Sequence, residues 1–140
     1  MNDYIYATEK LLKLHQLWQS SARRFLKAYD ITYPQFRVLK GLIDANNDNK
    51  RISQSHLSER IGIDAMTLST IIRNLEARKL IQRMESRSDT RAKNVYITAI
   101  GLSLMEEIIP SMETAAEMFF GEMYENGDEL LRVLTLEDEC

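Results

Sequence analysis

Between residues 53 and 79 the chain sets two short helix signals on either side of one glycine, and no other feature restricts its fold as tightly. Ser53 can cap a first helix that carries Leu57 and ends near Ile61-Gly62. Asp64 can cap a second, running to about Lys79, with Leu68, Ile71, Ile72 and Leu75 on one apolar face. The link Ile61-Gly62-Ile63 leaves room only for a tight turn, which is the layout of a helix-turn-helix. Two strand signals follow at Leu80–Glu85 and Asn94–Thr98; in the second, Val95 and Ile97 alternate with Asn94 and Tyr96, as in a half-buried strand. The tip between them, residues 86–93, is polar and basic.

Long helices flank this segment. From about Tyr4 to Tyr29, Leu11, Leu14, Trp18, Ala22, Phe25 and Tyr29 recur every three or four residues, on one face of an amphipathic helix. After a loop at Asp30-Ile31, Thr32-Tyr33-Pro34-Gln35 has the pattern of a helix start, with a capping box and a proline in the first turn. That helix carries Phe36, Val38, Leu39, Leu42 and Ile43 and ends in the polar turn 46–49. Thr98 opens a long helix with Leu102, Met105, Ile108, Ile109, Met112, Ala116, Phe119 and Met123 on one stripe, which Pro110 should kink. Gly127 should end the pattern before a last helix, Asp128–Leu136. With five Gly and two Pro in 140 residues, an all-β fold with many turns is excluded. The expectation is one domain, mainly α with a small antiparallel β-wing.

Charge is unevenly spread. The net charge is −3, but residues 50–93 hold ten bases against five acids, while residues 94–140 hold one base against eleven acids. A basic segment matters locally even in an acidic chain, because exposed charges act over a Debye length of about 8–10 Å. The single cysteine, Cys140, rules out a disulfide within the chain and suits a reducing, cytoplasmic setting; it is expected to be an inert terminal thiol. His15 and His56 cannot build a typical structural zinc site with it, and no metal or cofactor is expected. His15 suits packing in the first helix, and His56 a cap, a solvated position or a phosphate contact. No apolar run approaches the ~20 residues that cross a membrane, and the acidic start does not resemble a signal peptide. No Gly-rich phosphate loop, nucleophile elbow or His/carboxylate metal motif occurs, so an enzyme is not expected.

If Leu68, Ile71, Ile72 and Leu75 face a core, then Ala65, Met66, Thr67, Ser69, Thr70 and Arg73 point outward. Small and hydroxyl-bearing side chains let a helix enter the DNA major groove, about 12 Å wide, with its N-terminal residues on base edges. Arg73 can bond guanine or phosphate, and Ala65 or Met66 can touch a thymine methyl. Arg87, Arg91 and Lys93 at the hairpin tip can reach an adjacent minor groove or the backbone.

The stretch Leu57-Ser58-Glu59-Arg60-Ile61-Gly62, then Asp64, Thr67-Leu68-Ser69, Leu75-Glu76 before Leu80-Ile81, and a wing with Asp89-Thr90-Arg91 followed by Thr98 and Gly101, resembles the MarR-type winged helix-turn-helix regulators over nearly the whole chain. Ile97 stands where that family usually has Leu. Thr32-Tyr33-Pro34-Gln35 is similar to the organic-hydroperoxide-sensing branch, but residues 1–139 contain no Cys, so that branch's single-cysteine chemistry does not carry over. The resemblance implies a DNA-binding lobe over about 32–98 and dimerisation helices over about 1–30 and 99–140. It implies that Arg91 enters the minor groove while Asp89 orients it or another wing arginine. It also implies a homodimeric transcriptional regulator, most often a repressor, on a roughly palindromic duplex. The apolar stripes of the first and last helices are too long for so small a domain to cover, which points the same way. A small aromatic or phenolic effector is implied in a cleft that Trp18, Tyr29, Tyr33, Phe36 and Met105 can line, with Arg37 for a carboxylate; core packing is the alternative for each. A winged helix that has lost DNA binding and serves a protein partner is the other functional reading, and steep loss of binding with salt would separate the two.

Overall fold

Four N-terminal caps fix where the helices begin. The Thr32 N–H donates to Gln35 Oε1 at 3.0 Å and the Gln35 N–H to Thr32 Oγ1 at 3.2 Å, a reciprocal box that opens α2 (Tyr33–Asn47). Ser53 Oγ accepts from the His56 N–H at 3.2 Å and opens α3 (Gln54–Ile61). Asp64 Oδ1 accepts from the Thr67 N–H at 3.0 Å and opens α4 (Ala65–Ala77). Thr98 Oγ1 accepts from the Gly101 N–H at 3.1 Å and opens α5 (Ala99–Gly121). The computed structural model describes residues 3–47, 51–85, 93–123 and 125–136. α2 runs through Asn47, so the expected turn at 46–49 starts two residues late; residues 48–49 and the wing tip 86–92 lie outside the described residues.

The chain forms two compact units, and Ile31–Ile108 is the winged one. Gly62 turns the chain between α3 and α4 at φ 68°, where a side chain would be strained. Its N–H bonds the Ser58 carbonyl at 3.0 Å, and the Ser58 hydroxyl donates to the Ile63 carbonyl at 2.5 Å. β1 (Ile81–Glu85) and β2 (Lys93–Ile97) pair antiparallel, with Ile81 opposite Ile97 and Glu85 opposite Lys93. The sequence pattern shows no strand at Ile52-Ser53, yet Ser53 bridges Asn94 and the Val95 N–H donates to the Ile52 carbonyl at 2.9 Å. This gives the wing a third, very short edge. α4 packs on α2, α3 and β1. Leu39, Leu42, Leu57, Leu68, Ile72 and Leu75 are fully buried, with Ile81 and Val95 closing the core from the sheet.

Three boundaries differ from expectation, each because a helix end claims the residue in question. α4 stops at Ala77 rather than near Lys79, because Lys79 takes the left-handed conformation at φ 63°. The Leu80 N–H returns to the Leu75 carbonyl at 3.0 Å and the Lys79 N–H to the Glu76 carbonyl at 2.9 Å, the two bonds of a Schellman ending. Leu80 is thereby taken by the helix end, so β1 starts at Ile81. Thr98, spent as a cap, is lost to β2 in the same way.

The second unit comprises Met1–Asp30 and Ile109–Cys140. It contains α1 (Asp3–Leu26), the 3-10 turn Lys27–Tyr29, α5 from Ile109 onward, and α6 (Glu125–Thr135). Pro110 lies inside α5, just beyond the division between the units. Of the α1 stripe only Ala22 is buried, and Leu11 is 62% exposed. Gly127 does not precede the last helix but lies within it, correcting the Asp128 start. A β-carbon there would overlap the Phe120 carbonyl, whose carbon is 2.9 Å away, so this glycine serves a close approach and not a stop.

Candidate nucleic-acid interface

α4 carries the apolar stripe that its periodicity demands: Leu68, Ile71, Ile72 and Leu75 are all buried. The opposite face is open. Ala65, Met66, Thr67, Thr70 and Arg73 are exposed and Ser69 half-buried, so all six outward residues expected from the sequence share one surface. Met66 is the most prominent, at 83% exposed.

The hydroxyls on this face are partly engaged. Thr67 Oγ1 donates to Asp64 Oδ2 at 2.6 Å, so Thr67 completes the cap as well as facing outward. This bond, then the bond from the Thr67 N–H, holds the Asp64 carboxyl below its ordinary range and keeps it charged at the positive end of the helix dipole. Thr70 Oγ1 approaches the Met66 carbonyl at 3.4 Å and an Arg73 nitrogen at 3.5 Å. Both distances are long, and a stronger partner can displace them.

The wing is braced against α4 by a pair that sequence reasoning missed. Arg83 on β1 donates from Nη2 to Glu76 Oε1 at 2.8 Å and from Nε to Oε2 at 3.3 Å, while its own N–H reaches Oε2 at 3.2 Å. The Arg83 hydrogen bond, with its positive charge, holds the Glu76 carboxyl below its ordinary range and raises the guanidinium in turn. Seven residues and a turn separate the two, so no helical or strand spacing announces them. Lys93, at the tip end of the hairpin ladder, is exposed and faces Glu85 across it. Arg87, Asp89 and Arg91, the other wing candidates, lie outside the described residues.

A second junction fixes where the wing leaves the lobe. Thr98 Oγ1 lies 2.7 Å from the Lys79 carbonyl and 3.0 Å from that of Leu80, and the Thr98 N–H donates to Leu80 at 3.0 Å. Gly101 sits against the Leu80 carbonyl. One threonine thus ties the end of α4, the end of β2 and the start of α5 together. Arg51, just before α3, and His56, Glu59 and Arg60 on it surround an open hollow of about 420 Å³ over Ala45 and Ile52. In helix-turn-helix proteins the first helix crosses the DNA backbone, and Arg60 lies on that element.

The expected effector residues divide between the units. In the winged unit Tyr33 and Phe36 stack, with ring centroids 6.3 Å apart and planes 15° apart. Arg37 donates to the Ile61 carbonyl and so braces α2 against α3. Met105 is fully buried in the core. Trp18 belongs to the helical unit and packs on Phe119 at 5.6 Å; Tyr29 ends the 3-10 turn there. In the same unit an apolar cavity of about 230 Å³ is lined by Trp18, Phe119, Phe120 and His15 among others. Among the described residues, no cluster of three or more His, Cys, Asp or Glu can hold a metal ion, and no helix is long and apolar enough to cross a membrane.

Known proteins match this arrangement along most of the chain. The HTH-type transcriptional regulator SarZ of Staphylococcus haemolyticus is 25% identical over 105 residues, which cover 75% of this chain and 66% of SarZ, just under two thirds of its length. The transcriptional regulator HosA of Escherichia coli O127:H6 is 28% identical over 123 residues, covering 87% of this chain and 88% of HosA. In fold, a mutant MarR from E. coli crystallised with operator DNA superposes with a TM-score of 0.82 at 19% identity, over 97% of this chain and 95% of that one. The family model described as transcriptional regulator SarA/Rot matches residues 21–108, which hold the four caps, α4 and the wing strands, and the chain belongs to this family of MarR-like winged-helix transcriptional regulators.

Proposed function

We propose that the protein is a homodimeric, sequence-specific repressor that inserts α4 into the major groove of a roughly palindromic operator and grips the flanking DNA with its wing. The observation that carries this reading is the outward face of α4. Six small, hydroxyl-bearing or flexible side chains stand on it, and the apolar stripe is wholly buried behind. In this reading Arg73 bonds guanine or phosphate, Thr70 and Ser69 bond base edges or phosphates, and Ala65 and Met66 meet thymine methyls. Arg87, Arg91 and Lys93 contact phosphate or the minor groove, with Asp89 orienting an arginine. That a MarR of similar fold was crystallised with operator DNA supports DNA as the partner.

The dimer is supported by the apolar face of the helical unit. Leu11, Leu17, Met118, Leu131 and Leu134 are all more than 40% exposed. Each fully buried side chain of this kind contributes about 1.5–3 kcal/mol, which a second copy supplies. A two-fold dimer sets its reading helices about 34–36 Å apart, one DNA turn. A small aromatic effector would release the operator by binding one lobe spacing better than the other. Trp18, the single tryptophan, lines a cavity on the same apolar face, so its fluorescence reports a change there.

The test is selection from randomised duplexes at physiological salt, followed by sequencing. An enriched palindrome with half-sites one turn apart supports the proposal. No enrichment, with only weak salt-sensitive binding, refutes sequence-specific reading by the free protein and favours a winged helix that serves a protein partner.

A further inference from the structure

We infer that Met66 is an oxidisable switch, and that transfer of one oxygen atom from hydrogen peroxide to its Sδ releases the protein from DNA. This rests on the reading of α4 as the DNA-contacting helix. Met66 lies in the first turn of that helix, where a reading helix meets base edges, and 83% of its surface is open to solvent. Its neighbours on the face are short, and Thr67 points its hydroxyl back at Asp64. The thioether is therefore the longest apolar group the helix presents at its tip.

The chemistry balances without help from another side chain. A lone pair on Sδ attacks one peroxide oxygen, the O–O bond breaks and an S–O bond forms. The departing hydroxide takes the proton of the transferred hydroxyl and leaves as water. Sulfur is oxidised by two electrons and the peroxide reduced by two. The product, a sulfoxide, is polar and chiral, and reductases return it to the thioether. An apolar tip suited to a thymine methyl then carries a strongly hydrated acceptor, which must be stripped of water to enter the groove.

Exposure ranks the methionines. Met105 and Met112 are buried, so peroxide reaches them slowly. Met84 and Met118 are exposed at 53% and 54%, on β1 and on the apolar face of the helical unit, so their sulfoxides are quantified beside that of Met66. M84L removes the first of them, and M66L retains Met118, so a loss that arises at Met118 shows itself in M66L.

The experiment treats the full-length protein, M66L and M84L with hydrogen peroxide. Each sulfoxide is quantified by peptide mass, and binding to the selected duplex is measured against the same protein untreated. Wild type and M84L should lose at least tenfold in affinity in step with Met66 oxidation and regain it after methionine sulfoxide reductase. M66L should keep its affinity. Quantitative oxidation of Met66 with unchanged affinity overturns the inference, as does an equal loss in M66L or failure of Met66 to oxidise ahead of Met105 and Met112. Untreated protein that binds no duplex overturns the reading of α4 itself, and the switch with it; that result is distinct from all the others.

Discussion

Replacing Gly101 by Ala adds one methyl where the end of α4, the end of β2 and the first turn of α5 converge. An ideal β-carbon there lies 2.8 Å from Ile97 Cγ1 and 3.2 Å from the Leu80 carbonyl carbon, and it overlaps the Leu80 oxygen. Carbon atoms in good contact are about 3.5–4.0 Å apart. The oxygen cannot retreat freely, because it accepts from the Thr98 N–H and lies beside Thr98 Oγ1, both at 3.0 Å. Two effects oppose each other. Ala gains up to about 1 kcal/mol as a helix former. Overpacking costs about 1–3 kcal/mol, and each hydrogen bond stretched out of range about 1 kcal/mol more. The clash wins, leaving a net loss of about 1–3 kcal/mol, or roughly 3–10 °C in Tm for a chain of this size. Thermal melts followed by circular dichroism, at one fixed protein concentration because association shifts Tm, measure it. Gly121→Ala is the control, since nothing lies within 4 Å of its β-carbon, and it should match or exceed wild type. A Tm for Gly101→Ala at or above wild type would falsify the close-approach argument.

Three further predictions rest on neighbouring features. Lys79→Gly should raise stability by up to about 1 kcal/mol, because it relieves a left-handed residue at φ 63°; Lys79→Ala keeps the strained φ and should not, and equal Tm gains would discredit the strain argument. Glu76→Gln should lower stability at pH 7 by about 0.5–1 kcal/mol, a modest figure because the pair is partly exposed. The Glu76 carboxyl is held below its ordinary value in the folded state, so its contribution is complete above the unfolded value and disappears as pH falls through the folded one. Urea midpoints for wild type and variant should therefore converge in acid, and a gap that persists or widens there would count against the ion pair. Thr70→Ala should change sequence preference, with a loss of about 1–3 kcal/mol on the selected duplex and little on random DNA if Thr70 reads a base; equal losses on both, by fluorescence anisotropy, would assign it to the backbone instead.

The features that could be foreseen from the sequence share a short range. Thr32, Ser53, Asp64 and Thr98 each bond an N–H three residues on, so both partners fall inside one window of the sequence. Gly62 announces its own turn, and the stripe Leu68, Ile71, Ile72 and Leu75 announces its buried face by period alone. What escaped depends on partners brought together by the fold. Arg83 meets Glu76 only because Lys79 turns the chain left-handed, and a lysine is an unusual residue for that position, so it gave no stop signal. Ser53 bridges Asn94 across 41 residues, a register that no local pattern encodes. Gly127 shows the ambiguity most sharply. A glycine late in a helical pattern is read as a stop, yet here it lies within α6, and the Phe120 carbonyl occupies the space a β-carbon would need. The same reasoning bears on the candidate site. Its outward face is the complement of a buried stripe, and so it could be read residue by residue in advance. Tyr33 and Phe36 meet because they are three apart on one helix, whereas Trp18 finds Phe119 across a hundred residues, and composition alone could not say which aromatics would share a wall.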